Sequence, residues 1–346
     1  MHAINTARAS IPTTYSLIMA VELGLQERSL GKLIAGCDLS IQQLTSDSTL
    51  LTAEQQVQII HNALHIAGDN GFGLRLGKRL TPPTHGALGF LANSSPDLGT
   101  AIQAFEAFLP TRVSFVGIET AVNNQSFECH LKVDLKADDA IYRSVIEALS
   151  LSFISLVEFI IGHRLTEGEL YLRGPAPHYQ AIYDDLIPCP VHFSATHNKI
   201  VIPLSLLKSI NATANHSSYT LALQQCELML KQLPSAHKKT RHKVKTYMLT
   251  HPPEQISEER VAAALFITKR TLARRLEAEG ASYRKLKEEI FSSLASRYLH
   301  DTNLSIEAIA AMLGYHDSAN FRRAFKRWYS ITPSRYREEL LSAKEQ

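Results

Sequence analysis

The sequence is poor in cysteine. Its 346 residues include four, Cys37, Cys129, Cys189 and Cys226, separated by 92, 60 and 37 positions. No two of them form a Cys-x-x-Cys pair, so neither a zinc knuckle nor a disulfide framework is predicted. The first residues, MHAINTARASIP, also lack the charged and then apolar pattern of a secretory signal. These two observations favour a reduced, soluble, cytoplasmic protein.

A long uncharged hydrophobic run is also missing. The most apolar stretch, residues 144–161, carries Glu147 and Glu158, whereas a membrane span needs about 20 largely uncharged residues. We interpret this stretch as a buried helix. A hydrophobic content of 45% and a charged content of 20% are typical of folded rather than disordered chains, and the length allows two or three domains.

Motifs for common catalytic chemistries are absent as well. The sequence contains no G-x-S-x-G, H-E-x-x-H or Walker loop. Cys189, His192 and His197 could be imagined as metal ligands, but their segment is typical of a strand and turn, which favours packing or surface roles. We therefore predict no enzyme activity, no catalytic residue, no metal site and no cofactor.

Positive charge is concentrated at one end of the chain. Residues 237–346 contain 21 Lys and Arg against 13 Asp and Glu, which leaves 15 against 20 in residues 1–236. The two net charges, +8 and −5, sum to the +3 of the whole chain. A basic C-terminal third on an acidic body predicts an anionic polymer as one partner.

Residues 1–232 show mixed helical and strand patterns. Apolar residues recur at helical spacing in three segments, 12–36, 52–66 and 98–109, the last with Ser94 or Ser95 as its entry. Glycine and proline predict loop and turn for 68–85. Strand patterns are found at 126–135, 169–173 and 199–203. We predict an α+β sensor domain with a small antiparallel sheet, which binds an effector and forms dimers.

A further helix is predicted next to the basic third of the chain, over residues 219–233. One stripe of this helix holds Tyr219, Ala222, Cys226, Met229 and Leu233. Packing on its own domain accounts for this stripe, and a dimer-forming helix is the alternative. Residues 233–241 are predicted to be a linker to a domain of residues 242–346.

The segment 305–328 predicts a helix, a sharp turn and a second helix. Ser305 can cap the first helix and Gly314 can end it, while Asp317 or Ser318 can cap the second. The apolar stripes of the two helices are Ile306, Ile309, Ala310 and Leu313, then Phe321, Ala324, Phe325 and Trp328. Arg323 and Lys326 lie nearly opposite the second stripe, so the pattern is a helix-turn-helix with a basic outer face.

The same pattern occurs in segment 257–280. Ser257 can cap a helix that buries Val261, Ala264 and Leu265, and Thr268 can cap a second helix ending at Gly280. In that second helix Leu272 and Leu276 face inward, and Arg270 and Arg274 face outward. A helix of ~26 Å over residues 283–300 separates the two units. It could hold two recognition helices about one DNA turn apart, roughly 34 Å.

Residues 242–346 resemble the DNA-binding domain of the AraC/XylS family of bacterial transcription regulators. The resemblance rests on Gly314-Tyr315, Phe321, Arg323, Phe325-Lys326, Pro333 and Tyr336-Arg337. The whole chain, including HGALGFLANSSPDLGTAIQAF at 85–105, is similar to members with an arabinose-binding-type regulator domain, and lacks the many short strands of a cupin barrel. Ser330 stands where the family usually has glycine, and Ala319 where a longer polar side chain is common.

The resemblance implies which residues contact DNA. Base reading is expected of Arg270, Thr271 and Arg274 in the first unit, and of Ser318, Asn320, Arg322 and Arg323 in the second. Arginine suits guanine because its fork can bond O6 and N7 together, and asparagine suits adenine. Contacts with phosphates, which set affinity and register, are expected of Lys269, Lys326, Arg327 and Arg335.

The implied function is sequence-specific DNA-binding transcription regulation, expected to be ligand-responsive activation with RNA polymerase and a homodimer as further partners. A ligand-independent architectural DNA binder and an enzyme fused to a DNA-binding module are the alternatives. For the effector pocket we expect apolar walls from residues 144–161. His85, Arg112 and Arg143 are conceivable anchors for an acid, although each is more typical of a surface or structural residue, and the ligand-binding residues stay unassigned.

Overall fold

The computed structural model describes residues 9–68, 70–122, 126–135, 137–232, 240–302, 304–315 and 317–342. The chain divides into two compact units, Met1–Pro234 and Ser235–Gln346. Most of the predicted linker, residues 233–239, lies outside the described residues. Its last two residues, Thr240 and Arg241, begin a helix.

Helices and short strands alternate along the first unit. The helices are α1 (Thr14–Glu22), α2 (Leu30–Leu33), α3 (Ile41–Leu44), α4 (Ala53–Ala67), α5 (Phe72–Arg79), α6 (Ala87–Asn93), α7 (Leu98–Phe108), α8 (Asp139–Ile161), α9 (Ala181–Leu186) and α10 (His216–Gln232). The strands are β1 (Ile11–Pro12), β2 (Leu50–Leu51), β3 (Val116–Val122), β4 (Ser126–Val133), β5 (Glu169–Tyr171), β6 (Val191–His192) and β7 (Lys199–Pro203).

Five of the described strands form one sheet in the order β3-β4-β7-β5-β6. The predicted α+β class is confirmed, and alternate residues of β4, Phe127, Cys129 and Leu131, are buried as its pattern predicted. The antiparallel prediction is wrong for one pair, because β5 and β6 run parallel. The chain between them contains α9, and a crossover of this kind permits parallel pairing.

The turn prediction for residues 68–85 is right for Gly68 and Gly71, which lie at helix ends with a φ of 73°, and wrong for Gly73 and Gly77. Residues 72–79 form α5, and Gly73 and Gly77 lie on the face of α5 that packs against α8. A Cβ atom added at Gly73 would lie 2.4 Å from the Ser144 carbonyl oxygen, and one at Gly77 would lie 2.8 Å from the Leu151 Cβ. The two glycines therefore permit close helix packing, which outweighs the roughly 1 kcal/mol helix penalty of glycine.

Two other helix boundaries differ from the prediction. The single helix expected over 12–36 ends at Glu22, and Gly24 follows with a left-handed φ of 64°. The cap of α7 is Asp97 rather than Ser94 or Ser95, because its carboxylate accepts a 2.7 Å bond from the Thr100 amide. In both cases a single residue, the left-handed Gly24 or the capping Asp97, sets the helix boundary, and helical periodicity alone does not reveal such a residue.

The long helix α8 is the main core element of the first unit. Asp138 caps its start, and Gly162 ends it with a φ of 78°. It is the one helix in the described chain that is long and apolar enough to cross a membrane, yet 72% of its most apolar window is buried inside the protein. The prediction of a buried core helix is thus confirmed.

Helix α10 packs one side on the first unit and leaves the other exposed. Tyr219, Ala222 and Cys226 are buried, as the predicted stripe requires. Leu221 and Leu228, seven residues apart on another face, are 64% and 60% exposed. The predicted stripe ends at Leu233, which lies outside the described residues.

The described part of the second unit is helical. Its helices are α11 (Thr240–Thr250), α12 (Glu258–Ala264), α13 (Lys269–Ala278), α14 (Tyr283–Asp301), α15 (Ile306–Met312), α16 (Ser318–Tyr329) and α17 (Pro333–Ser342). They enclose two hydrophobic clusters, a first core that contains Val261, Leu272 and Leu276, and a second core that contains Ile309, Phe321 and Phe325. The all-α prediction with two helix-turn-helix units is confirmed.

Candidate nucleic-acid interface

Local capping explains where each helix of the two helix-turn-helix units begins. The side chains of Ser257, Thr268, Ser305 and Asp317 each accept a hydrogen bond from a backbone amide in the first turn of the helix that follows. Between the two alternatives for α16, Asp317 is the cap and Ser318 is the first helical residue. A cap of this type contributes about 1 kcal/mol.

Apolar spacing decides which face of each helix is buried. Leu272 and Leu276 of α13 are fully buried, and so are Phe321 and Phe325 of α16. In α12, Ala262 is buried beside Val261, whereas Ala264, expected inside, is exposed. The prediction for Ala264 was wrong because α12 is only two turns long and its last residue has already turned toward solvent.

The turns of the two units have the same backbone pattern. In the first, the Phe266 and Ile267 amides donate to the Ala263 and Ala262 carbonyls at 2.9 and 3.0 Å. In the second, the Gly314 and Tyr315 amides donate to the Ala311 and Ala310 carbonyls, both at 2.9 Å. This is the Schellman arrangement that closes a helix C-terminus and requires one left-handed residue.

The left-handed residue differs between the two turns. Gly314 has a φ of 70°, which glycine adopts without strain, whereas Phe266 has a φ of 54°. Phe266 is also 96% exposed, so burial of its ring does not compensate for that strain. The sequence pattern did not reveal this feature, since a phenylalanine is not a signal for a left-handed turn.

Helix α14 connects the two units. Its first half supplies Leu286, Ile290 and Phe291 to the first core, and its second half supplies Ala295 and Leu299 to the second core. At 1.5 Å per residue, its 19 residues span roughly 28 Å. Both recognition helices are thereby held by one rigid element.

The outer face of α13 carries the residues predicted to read bases in the first unit. Arg270 and Arg274 are exposed, opposite the buried leucines. Thr271 is only half-buried, and its hydroxyl lies 2.9 Å from the Thr268 hydroxyl. Arg275, which was not predicted, is exposed on the same helix.

The outer face of α16 carries the residues predicted to read bases in the second helix-turn-helix. Asn320 donates from Nδ2 to Asp317 at 2.7 Å and accepts from Arg323 at 2.7 Å, which gives a short polar chain. Arg322 donates to Glu307 of α15 at 2.8 Å. Ser318 is half-buried at the start of the helix. Three of these four side chains are therefore already hydrogen-bonded without DNA.

Two of the predicted phosphate-binding residues are paired with carboxylates. Lys269 contacts Glu259 of α12 at 2.5 Å, and this hydrogen bond raises the pKa of the lysine. Arg327 contacts Glu288 of α14 at 2.7 Å. Lys326 and Arg335 are exposed. The arrangement of carboxylates was not anticipated from the sequence, although Glu259 and Glu307 are each the second residue of their helix.

The first unit contains a small apolar cavity of about 80 Å³ that touches His85. The imidazole is buried and lies 3.0 Å from the Tyr15 hydroxyl through Nδ1 and 3.0 Å from the Ser152 hydroxyl through Nε2. Burial, reinforced by the nearby Arg112 charge, lowers the pKa of His85 to about 4. Arg112 is buried beside the Tyr15 ring, with its guanidinium carbon 5.8 Å from the ring centroid.

A second, polar cavity of about 350 Å³ lies on the other side of α8 and touches Arg143. The structure therefore brings His85 and Arg112 together around Tyr15 and places Arg143 elsewhere. His192 and His197, once considered as metal ligands, contact Glu169 and Thr196 respectively. Among the described residues, no group of three His, Cys, Asp or Glu side chains could hold a metal ion.

Comparison with known proteins identifies relatives for both units. Residues 28–210 match the family described as the arabinose-binding domain of AraC transcription regulator, N-terminal, and residues 261–339 match a helix-turn-helix domain family. The chain is 27% identical over 338 residues to the ornithine utilization regulator of Pseudomonas aeruginosa, covering 97% of this chain and 98% of the relative. It is 38% identical over 93 residues, 27% of this chain and 31% of the relative, to the urease operon transcriptional activator of Escherichia coli.

A similar solved structure is that of the transcriptional regulator CdpR from Pseudomonas aeruginosa. It is 23% identical, with a TM-score of 0.45, and the alignment covers 90% of this chain and 97% of that chain.

Proposed function

Because the chain belongs to the AraC family of DNA-binding transcription regulators, we propose that it activates transcription by reading two successive major-groove segments, with a small molecule in its first unit controlling that activity. The observation that carries this proposal is the pair of exposed basic helices, α13 and α16, joined by α14. Two such helices about 34 Å apart would follow one turn of DNA.

In this proposal, the base-reading residues are Arg270, Thr271 and Arg274 of α13 and Ser318, Asn320, Arg322 and Arg323 of α16. The basic faces are exposed, and the geometry of an arginine fork matches guanine O6 and N7. Lys269, Lys326, Arg327 and Arg335 would hold phosphates. Lys269 and Arg327 would first have to exchange their carboxylate partners for phosphate.

The experiment compares binding of the full-length protein to DNA from its own upstream region and to random DNA at two salt concentrations. We expect a preference of about 10³-fold or more that persists as salt rises. Equal binding to both, falling steeply with salt, would favour an architectural DNA binder instead.

Two variants then test whether both recognition helices are used. Arg274→Ala and Arg323→Ala should each lose discrimination at one base pair, at different positions of the site, by about 1–3 kcal/mol. Arg28→Ala is the matched control, because Arg28 is an exposed arginine of the first unit. If both variants affected the same base pair, simultaneous reading by two helices would be refuted.

We further propose that the protein forms a homodimer through α10, acts in the cytoplasm and contacts RNA polymerase at its promoters. The dimer is supported by Leu221 and Leu228, which present a largely exposed apolar face of α10. Sedimentation of Leu221→Lys/Leu228→Lys should give a monomer, whereas Val21→Lys, at another exposed apolar position, should not. A reporter gene under the upstream region would distinguish activation from repression.

A further inference from the structure

The polar cavity has the size and the lining of a ligand site. Its volume of about 350 Å³ falls in the range of small-molecule pockets, roughly 300–1,000 Å³. The apolar cavity is much smaller, at about 80 Å³. Leu172, Tyr183 and Phe193 give the polar cavity an apolar wall, while α8 and the segment after β5 supply its polar groups.

Two arginines line this cavity without a carboxylate partner. Arg143 projects from α8, and Arg173 follows β5. Neither forms a salt bridge within the part of the chain that the structure describes, although Asp139 and Glu147 line the same cavity. One Nη atom of Arg143 lies 4.0 Å from the Cβ position of Gly174, the residue after Arg173. The two arginines therefore face one space.

The carboxylate of Glu147 is held by other groups. One of its oxygens, Oε1, accepts from the Tyr179 hydroxyl at 2.8 Å and from the Tyr183 hydroxyl at 2.6 Å. Glu147 itself is 1% exposed. Both tyrosine hydroxyls donate to this one oxygen, so the Glu147 carboxyl group has hydrogen-bond partners other than Arg143.

The backbone that presents Arg173 is fixed by polar contacts with the buried Asn198. The Arg173 amide donates to Asn198 Oδ1 at 2.8 Å, and Asn198 Nδ2 donates to the Tyr142 hydroxyl at 3.1 Å. Since Tyr142 accepts this bond, its own hydroxyl proton is available at the cavity wall. The lining therefore offers two guanidinium groups and one hydroxyl donor within a prepared site.

We propose that the polar cavity is the effector site and that it binds a small organic carboxylate, with Arg143 and Arg173 holding the carboxylate group. Arginine pairs with carboxylates through two parallel hydrogen bonds, which gives both charge compensation and orientation. This inference rests on the proposed function for its regulatory meaning. The Asp139 carboxylate in the same lining can pair with an ammonium group, so the site also suits ligands that carry both charges, such as amino acids.

The test uses calorimetric titration of the full-length protein with matched ligands. The probes are phenylpropionate and hexanoate, the amino acids L-phenylalanine and L-norleucine, and the uncharged phenylpropionamide and hexanamide. We expect at least one carboxylate to bind while its amide does not. Binding of the amino acid alone would identify a ligand with both charges, and binding of the simple acid would identify a plain carboxylate. Binding of no carboxylate, or equal binding of the amides, would overturn the proposal.

Variants assign the binding to this cavity. Arg143→Gln/Arg173→Gln should weaken the carboxylate about 10- to 100-fold, as expected for lost charged hydrogen bonds. Arg164→Gln is the matched control, because Arg164 is exposed and pairs with Glu158 near the end of α8. If the double variant does not fold, the single variant Arg173→Gln gives the same test, because Arg173 is exposed and its replacement should not disturb folding. Unchanged affinity in a folded variant would refute the site.

DNA binding separates this proposal from the proposed function. Without ligand, the Arg173→Gln variant should bind upstream DNA as the unmodified protein does. If the unmodified protein showed no specific DNA binding, only the proposed function would be overturned. Normal DNA binding without any carboxylate binding would overturn the effector site only.

Discussion

Replacing Phe266 by glycine should stabilise the second unit. Phe266 has a φ of 54° in the turn between α12 and α13, where the second helix-turn-helix has Gly314. A left-handed backbone costs an ordinary residue about 1–2 kcal/mol. Glycine also loses more conformational freedom on folding than phenylalanine does, which offsets about 0.5–1 kcal/mol of this gain. The expected net gain is about 0.5–1 kcal/mol.

Tryptophan fluorescence measures this gain within the full-length protein. The chain has one tryptophan, Trp328, which packs against both cores of the second unit. Its emission therefore reports unfolding of that unit even if the first unit unfolds separately. For a domain of about 100 residues, the gain corresponds to a rise in melting temperature of about 2–8 °C.

The matched control is Phe266→Ala, which removes the ring but keeps a side chain with a Cβ atom. Because Phe266 is 96% exposed, loss of the ring should change stability little. A gain in the alanine variant equal to that in the glycine variant would refute backbone strain as the cause. An absence of gain in the glycine variant would refute it as well.

The remaining predictions concern DNA contacts, a second left-handed residue and pH. Glu307→Gln should free Arg322 from its ion pair, and on random DNA, which offers Arg322 no matching base, the freed side chain should contact a phosphate. Affinity for random DNA should then rise, and its salt dependence should steepen by up to about one phosphate contact in a filter-binding assay; an unchanged slope would contradict this. Ser330→Gly, at a φ of 63°, should raise the Trp328 melting temperature, and Ser330→Ala should not. His85 has a pKa of about 4 when folded against an ordinary 6.5, so the unfolded chain binds more protons between these values. Stability should therefore fall by about 3 kcal/mol as pH drops from 6.5 to 4, and urea titrations of His85→Gln should show a flatter pH dependence.

The sequence by itself determined most of the second unit. Ser257, Thr268 and Ser305 act as caps where they were expected. The apolar stripes of α13 and α15 are buried as predicted, and so is that of α16 except for the half-buried Trp328. These signals act within one or two helical turns, so they can be recognised without knowledge of the fold. Ser330, which stands where the family usually has glycine, has a left-handed φ of 63° in the structure.

Only the tertiary structure decided the features that depend on residues far apart in the chain. Gly73 and Gly77 are helical because α8, about 70 residues later, packs directly against them. Arg143 and Arg173 share a cavity because α8 and the end of β5 meet there, which no local pattern indicates. The path of the chain sets such distances, and it is fixed by the packing of the whole unit rather than by the residues at the site.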